Sequence, residues 1–162
     1  MGGSQMLLTI GGVVLFGIAI LGIHSGIQSH QRTQVECEVL SQALLHAERF
    51  IEEARTRAFD EVCVSKVVST PGELTPPDSL GPNQGESYPA FNDVDDFHGL
   101  NLAWQENGVD FKASIVVDYM DGTLPEHLSD VEYRTFKKHF TVRLTSSWLK
   151  YAVVLNHIFT YY

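Results

Sequence analysis

The sequence predicts an α+β fold in which one long N-terminal α-helix, hydrophobic at first and amphipathic afterwards, packs on a four-stranded antiparallel β-sheet. A charge-free apolar segment, residues 6–27, lies near the N-terminus. Apolar residues then recur at helical spacing between Val35 and Val62, and alternating runs typical of strands follow residue 100. The sheet needs a cover for its apolar face, and the amphipathic part of the helix can provide it.

The apolar segment contains no Asp, Glu, Lys or Arg, and none occurs before Arg32. Since a bilayer core is spanned by about 20 apolar helical residues, this segment is expected to enter a membrane or an equally dry environment. Three fates are open: a cleaved signal peptide, a permanent anchor, or a helix later withdrawn from the membrane into an assembly. A signal peptide is disfavoured, because no basic residue precedes the apolar run and no small-residue cleavage site follows it.

The apolar segment contains five glycines. Gly22 and Gly26 form a small-xxx-small pair, which lets helix backbones approach closely in a dry environment. The alternative is that glycine is simply common in transmembrane helices. The glycines considered for helix–helix packing are Gly11, Gly12, Gly17, Gly22 and Gly26.

No proline or glycine occurs between Ile27 and Val68, so the sequence predicts one continuous helix of roughly 55–60 residues. We divide the chain into a hydrophobic half-helix (1–31), an amphipathic half-helix (32–66), and a loop with the β-sheet (67–162). The last two parts are expected to form one globular head.

Four strands are predicted, at 100–106, 109–120, 136–145 and 149–161. Asn107-Gly108 between the first two is a strong signal for a type I′ hairpin. In the third strand, alternation places Lys138 on the same face as the apolar residues Phe140 and Val142. Residues 69–89, which hold five of the six prolines, are predicted to form an irregular loop.

Charge and motifs exclude several function classes. The chain has 11 basic and 20 acidic residues, for a net charge of −9, which argues against nucleic-acid binding. No zinc-protease, nucleophile-elbow, P-loop or dinucleotide motif occurs, so no enzyme is predicted. His98 beside two acidic residues is the one acid–base cluster, and such a histidine is usually not catalytic.

The whole arrangement resembles the type IV pilin-like proteins, a group that includes minor pilins and pseudopilins. Two stretches add to the likeness: AFNDVDDFHGL (90–100) is similar to an Asp-rich segment of some members. FKKHFTVRLTSSWL (136–149) with VVLNHIFTYY (153–162) is similar to their paired terminal strands. The resemblance implies a structural subunit of a cell-surface filament, held in the inner membrane before it assembles with itself and with other pilin-like subunits.

The resemblance also implies assembly residues at the N-terminus. In the family, a Glu at the fifth position is thought to pair with the N-terminal amine of a neighbouring subunit. Here Met1 and Gln5 stand at these positions, and Gln5 offers a hydrogen bond in place of a charge. The alternative function is a monomeric, single-pass membrane-anchored domain that binds a partner protein through its loop or sheet edge. Self-association distinguishes the two.

The Asp-rich segment raises the question of a cofactor. Asp93, Asp95 and Asp96 bring carboxylate oxygens together and could bind Ca²⁺, as some pseudopilins do near their sheet. The favoured interpretation is that Asp93 and Asp96 bond backbone amides in turns, because the EF-hand ligand pattern is missing. No cofactor is therefore expected, with calcium as the alternative.

Overall fold

The apolar N-terminus and the amphipathic stripe form one continuous helix. The computed structural model describes residues 2–122 and 129–162, and in it α1 spans Gly3–Arg55, 53 residues. The chain divides into two compact units, Met1–Glu38 and Val39–Tyr162. Helix α1 runs through both of them, and the second unit contains all the strands.

The amphipathic half-helix was predicted to continue to residue 66, but α1 ends at Arg55 and a short helix, α2, spans Glu61–Ser65. Between the two helices, the backbone forms hydrogen bonds with a distant segment of the chain. The Ala58 amide donates to the Asn92 carbonyl, and the Ala58 carbonyl accepts from the Val94 amide. Asp60, in an extended conformation, then caps α2 by accepting from the Val62 amide. These partners are distant in sequence, so helical periodicity alone could not reveal the break.

Over residues 2–122 and 129–162, the sheet is antiparallel and has five strands rather than the four predicted. They are β1 Asn101–Glu106, β2 Val109–Asp121, β3 Ser129–Asp130, β4 Lys137–Thr145 and β5 Val153–Thr160. Four of them follow the order β1-β2-β4-β5, and the additional two-residue β3 pairs with the end of β2. The α+β class is confirmed.

The hairpin between β1 and β2 has the predicted two-residue turn. Asn107 and Gly108 have positive φ angles of 52° and 81°, and Glu106 pairs with Val109 across the turn. A type I′ turn requires positive φ at both central residues, which Asn and Gly tolerate best. The turn fixes the register of β1 against β2.

The second unit has a core formed by one face of α1 and one face of the sheet. Small residues of the helix, with Phe50 and Ile51, pack on alternate residues of β2 and β4. A smaller cluster beside it joins Val39 and Ala43 to Phe111 and Leu144. The predicted cover of the sheet is therefore present, and Leu40 and Leu44 of the same helix are exposed beside it.

The loop predicted at 69–89 is irregular but partly built into the head. It contains single 3-10 turns at Pro71–Glu73 and Pro77–Ser79. Leu74 between them is buried in a third cluster with Val68 and Tyr119. The loop thus closes one end of the core.

Candidate functional site

The N-terminal part of α1 presents apolar side chains on every side. The window Gly3–His24 has a mean hydropathy of 2.5, and none of it is buried. Met6, Leu8 and Phe16 each expose about two-thirds or more of their surface. Within the described part of the chain, this is the one helix long and apolar enough to cross a membrane, a test that a signal sequence also passes.

The predicted assembly glycines lie on this helix with open space around them. A Cβ atom built at Gly11, Gly12 or Gly17 would meet nothing within 4 Å, and the same holds at Gly22 and Gly26. A larger side chain would therefore fit within a single copy of the helix. Any requirement for glycine here must come from another molecule.

Polar groups near the start of the helix are few. Gln5 is exposed in the first turns of α1, whereas Met1 lies outside the described residues. The Thr9 hydroxyl lies 2.9 Å from the Met6 carbonyl, to which it donates within the helix. The segment thus keeps a polar amide at Gln5, whereas the Thr9 hydroxyl forms its hydrogen bond within the helix, which suits a dry environment.

A cluster of buried charged residues lies inside the head, and the sequence did not single it out. It is centred on Lys138 of β4, which is fully buried together with Asp60 and Asp95. The Lys138 Nζ donates to the Phe59 carbonyl at 2.8 Å, to Asp60 Oδ2 at 2.9 Å and to Asp95 Oδ1. The bridge between Ala58 and Asp93 holds the two aspartate segments side by side around this amine.

Asp60 is well supplied with hydrogen-bond donors. Its carboxylate accepts from the amide and hydroxyl of Thr75, from the Val62 amide and from the Tyr119 hydroxyl, in addition to Lys138. Burial opposes its ionisation, but the Lys138 ammonium and these donors together hold the Asp60 pKa below its usual value. Asp60 is the ionised member of the cluster.

The pKa of Asp95 is shifted in the opposite direction from that of Asp60. Burial raises its pKa to about 8, because the loss of hydration outweighs the attraction of Lys138. Its second oxygen, Oδ2, is buried without a hydrogen-bond partner. Asp95 therefore favours the protonated acid at neutral pH while in contact with a lysine amine.

The interpretation of Asp93 and Asp96 as turn-forming residues is confirmed. Asp96 Oδ2 accepts from the Asn92 amide at 2.9 Å, and Asp93 Oδ1 accepts from the Asp96 amide at 3.0 Å. Burial, followed by the charge of Asp96, raises the Asp93 pKa to about 7, and burial also raises the Asp96 pKa. One oxygen of each lacks a hydrogen-bond partner.

Asp93, Asp95 and Asp96 were considered above as calcium ligands. Within residues 2–122 and 129–162, no three His, Cys, Asp or Glu side chains are grouped so that they could hold a metal. The ammonium of Lys138 contacts Asp95 directly, where a cation would need that oxygen. Calcium binding stays a prediction of the resemblance.

A groove of about 320 Å³ lies between α1 and the edge strand β1 within the head. Its apolar wall is formed by Phe50, Tyr88 and Trp104, whose aromatic rings pack on one another or on the core. At its rim, His46 Nε2 lies 3.0 Å from a carboxylate oxygen of Glu106. An apolar groove beside an unpaired strand edge is suited to an extended peptide.

Comparison with known proteins identified no relative of the chain. No family model, no curated protein and no solved structure matches the chain. The function must therefore be argued from the residues themselves.

Proposed function

We propose that the chain is the structural subunit of a type IV pilus-like extracellular filament that assembles through its N-terminal hydrophobic helix. The observation that carries the proposal is the exposed, charge-free helix surface of residues 3–24, which includes glycines with open space around them. Apolar surface exposed to water is unfavourable by about 25 cal/mol per Å². The segment therefore needs lipid or copies of itself around it.

The same helix would lie in the membrane before assembly and in the filament core after it. In lipid, residues 3–24 are solvated by acyl chains of similar apolarity, so hydrophobicity alone gives no preference for the filament. Close packing at glycines such as Gly17, and hydrogen bonds offered by Gln5 near the N-terminus, must supply that preference. Every Asp, Glu, Lys and Arg side chain lies from Arg32 onward, so a dry filament core built from residues 3–24 would contain none of them.

The head supports this arrangement through its own construction. Its core clusters consist of residues from Val39 onward, so the head does not need the apolar segment to be complete. A helix packed on an antiparallel sheet is the α+β arrangement that the resemblance to pilin-like proteins implies. In the filament, the acidic head would face the solvent.

The proposal is tested by Gly17→Leu, because leucine fits the isolated helix and increases its apolarity. We expect membrane insertion to be retained and filament yield to fall about tenfold or more, since each 1.4 kcal/mol of lost packing is tenfold in association. Filaments in sheared fractions and subunit in membrane fractions are quantified by immunoblotting. Gly72→Leu is the matched control, because Gly72 lies in the head and also has no atom near a built Cβ.

Filaments formed by Gly17→Leu at the wild-type yield would contradict close packing at this helix face. The groove beside β1 favours a second function, a monomeric membrane-anchored domain that binds a partner protein through its sheet edge. In that case Gly17→Leu would leave both membrane insertion and partner binding unchanged, and no filament would be found for the wild type.

A further inference from the structure

The amine of Lys138 and the carboxyl of Asp95 are held in contact where neither meets water. Lys138 is fully buried and Asp95 is 2% exposed, and Asp95 Oδ1 accepts from Nζ. The rings of Phe59 and Tyr119 flank the amine, with their centroids 4.5 Å and 5.2 Å from Nζ. Reactive groups kept together in this way have a high effective concentration.

We propose that Lys138 and Asp95 form an intramolecular amide cross-link in the folded head, with Asp60 carrying the proton between them. The cross-link is a modification site within one copy of the chain. It is independent of filament assembly, so either proposal can fail without the other.

The reaction is a condensation that needs no other reactant. The Nζ atom attacks the Asp95 carboxyl carbon, so one N–C bond forms and one C–O bond breaks. Of the two protons of the neutral amine, one stays on the amide nitrogen and the other leaves as water with the hydroxyl group of the Asp95 acid. Asp60 Oδ2, 2.9 Å from Nζ, accepts one of these protons and returns it to the departing oxygen, ending as a carboxylate.

The surroundings favour this reaction over a lasting ion pair. Burial disfavours the carboxylate form of Asp95, which keeps this group as the carboxylic acid that an amine can attack. The Asp95 Oδ2 atom has no hydrogen-bond partner that would hold the carboxylate form. Condensation removes the buried amine and acid and leaves a neutral amide whose N–H can donate to Asp60.

Asp60 is the proton carrier rather than the second half of the cross-link. Four donors besides Lys138 occupy its carboxylate: the Val62 amide, the Thr75 amide and hydroxyl, and the Tyr119 hydroxyl. A carboxylate stabilised in this way is a poor electrophile, but it can accept a proton from Nζ. Asp95 lacks such donors and is the electrophile.

Intact mass spectrometry of the purified, folded full chain in detergent tests the proposal. We expect a mass about 18 Da, one water, below the sequence value, which persists after denaturation. A protease digest is expected to contain a branched peptide that joins the segments of Lys138 and Asp95. A folded wild-type chain at the full sequence mass would overturn the proposal, and a branch at Asp60 would overturn the assignment to Asp95.

Variants separate the roles of the three residues. Lys138→Arg is expected to lose the mass deficit, whereas Lys137→Arg on the same strand is expected to keep it. In Asp60→Asn, the mass deficit is expected to be absent or to form more slowly. Circular dichroism is expected to show that the head remains folded. A deficit that forms in Asp60→Asn at the wild-type rate would contradict proton transfer through Asp60, and a deficit in Lys138→Arg would place the cross-link elsewhere.

Discussion

Asp93 shows how a buried carboxyl couples the stability of the head to pH. It is fully buried, one oxygen accepts from the Asp96 amide, and its pKa is about 7 against an ordinary value of 3.8. Between these two values the folded chain holds a proton that the unfolded chain has lost. Raising the pH through this window therefore favours the unfolded state, by up to about 1.4 kcal/mol per pH unit.

We predict that Asp93→Asn removes this part of the pH dependence. Asparagine keeps the oxygen that accepts from the Asp96 amide, but it does not titrate. The free energy of unfolding of the wild type is expected to fall by about 1 kcal/mol or more between about pH 5 and about pH 7, and that of Asp93→Asn to fall less. Urea unfolding of both proteins at both pH values measures these free energies.

Asp78→Asn makes the same chemical change at an exposed position and is the matched control. Asp95 and Asp96 are unchanged in all three proteins, so any contribution that they make to the pH dependence is common to the comparison. Equal slopes for the wild type and Asp93→Asn would show that Asp93 is ionised in the folded head.

At the residue scale, the sequence revealed part of the buried cluster. Alternation along β4 placed Lys138 on the apolar face, and a lysine at such a position is itself a signal that a buried partner is needed. Asp60 could not be found from the sequence, because the pairing of Ala58 with Asp93 brings it to Lys138.

At the level of elements, the contact between α1 and the sheet depends on small residues. Ala43, Ala47 and Ala54 are fully buried on the helix face that covers β2 and β4. Alanine at these positions lets the helix approach the sheet closely, and the larger Phe50 and Ile51 fill the space beside them. The three alanines are spaced so that they fall on one helix face, which the sequence predicted from their period.

We predict that Ala47→Leu destabilises the head by about 1–3 kcal/mol, because the added carbons must displace packed neighbours. Ala103→Leu on β1 is the control, since Ala103 is exposed and the same enlargement there meets solvent. Thermal unfolding followed by circular dichroism measures both. An Ala47→Leu head as stable as the control would mean that the helix does not lie closely on the sheet.

The elements were predicted to different extents, for physical reasons. The hairpin at Asn107-Gly108 follows from local conformational preference, and the structure has it as predicted. Strand β5 starts at Val153 rather than 149 because residues 146–149 form a turn, in which Leu149 donates to the Ser146 carbonyl. Strand β3 is two residues long and is held by pairing with β2, so no alternation could reveal it.

For the molecule as a whole, the division into two units separates two environments. The first unit contains the exposed apolar helix surface, and the second contains the buried core and all the strands. The Asp, Glu, Lys and Arg residues, whose net charge is −9, all lie from Arg32 onward. This division fits the proposed filament, in which the first part would lie in an apolar core and the second in water, and it also fits the alternative of a membrane-anchored domain.

The most direct test of the filament proposal is to shear the source cells and collect the released material by centrifugation. Electron microscopy and mass spectrometry then show whether filaments are present and whether they consist of this chain with residues 3–24 retained. We predict filaments in which this chain is a subunit. Recovery of the chain only from detergent-extracted membranes, as a monomer, would contradict the account and support an anchored domain that binds a partner.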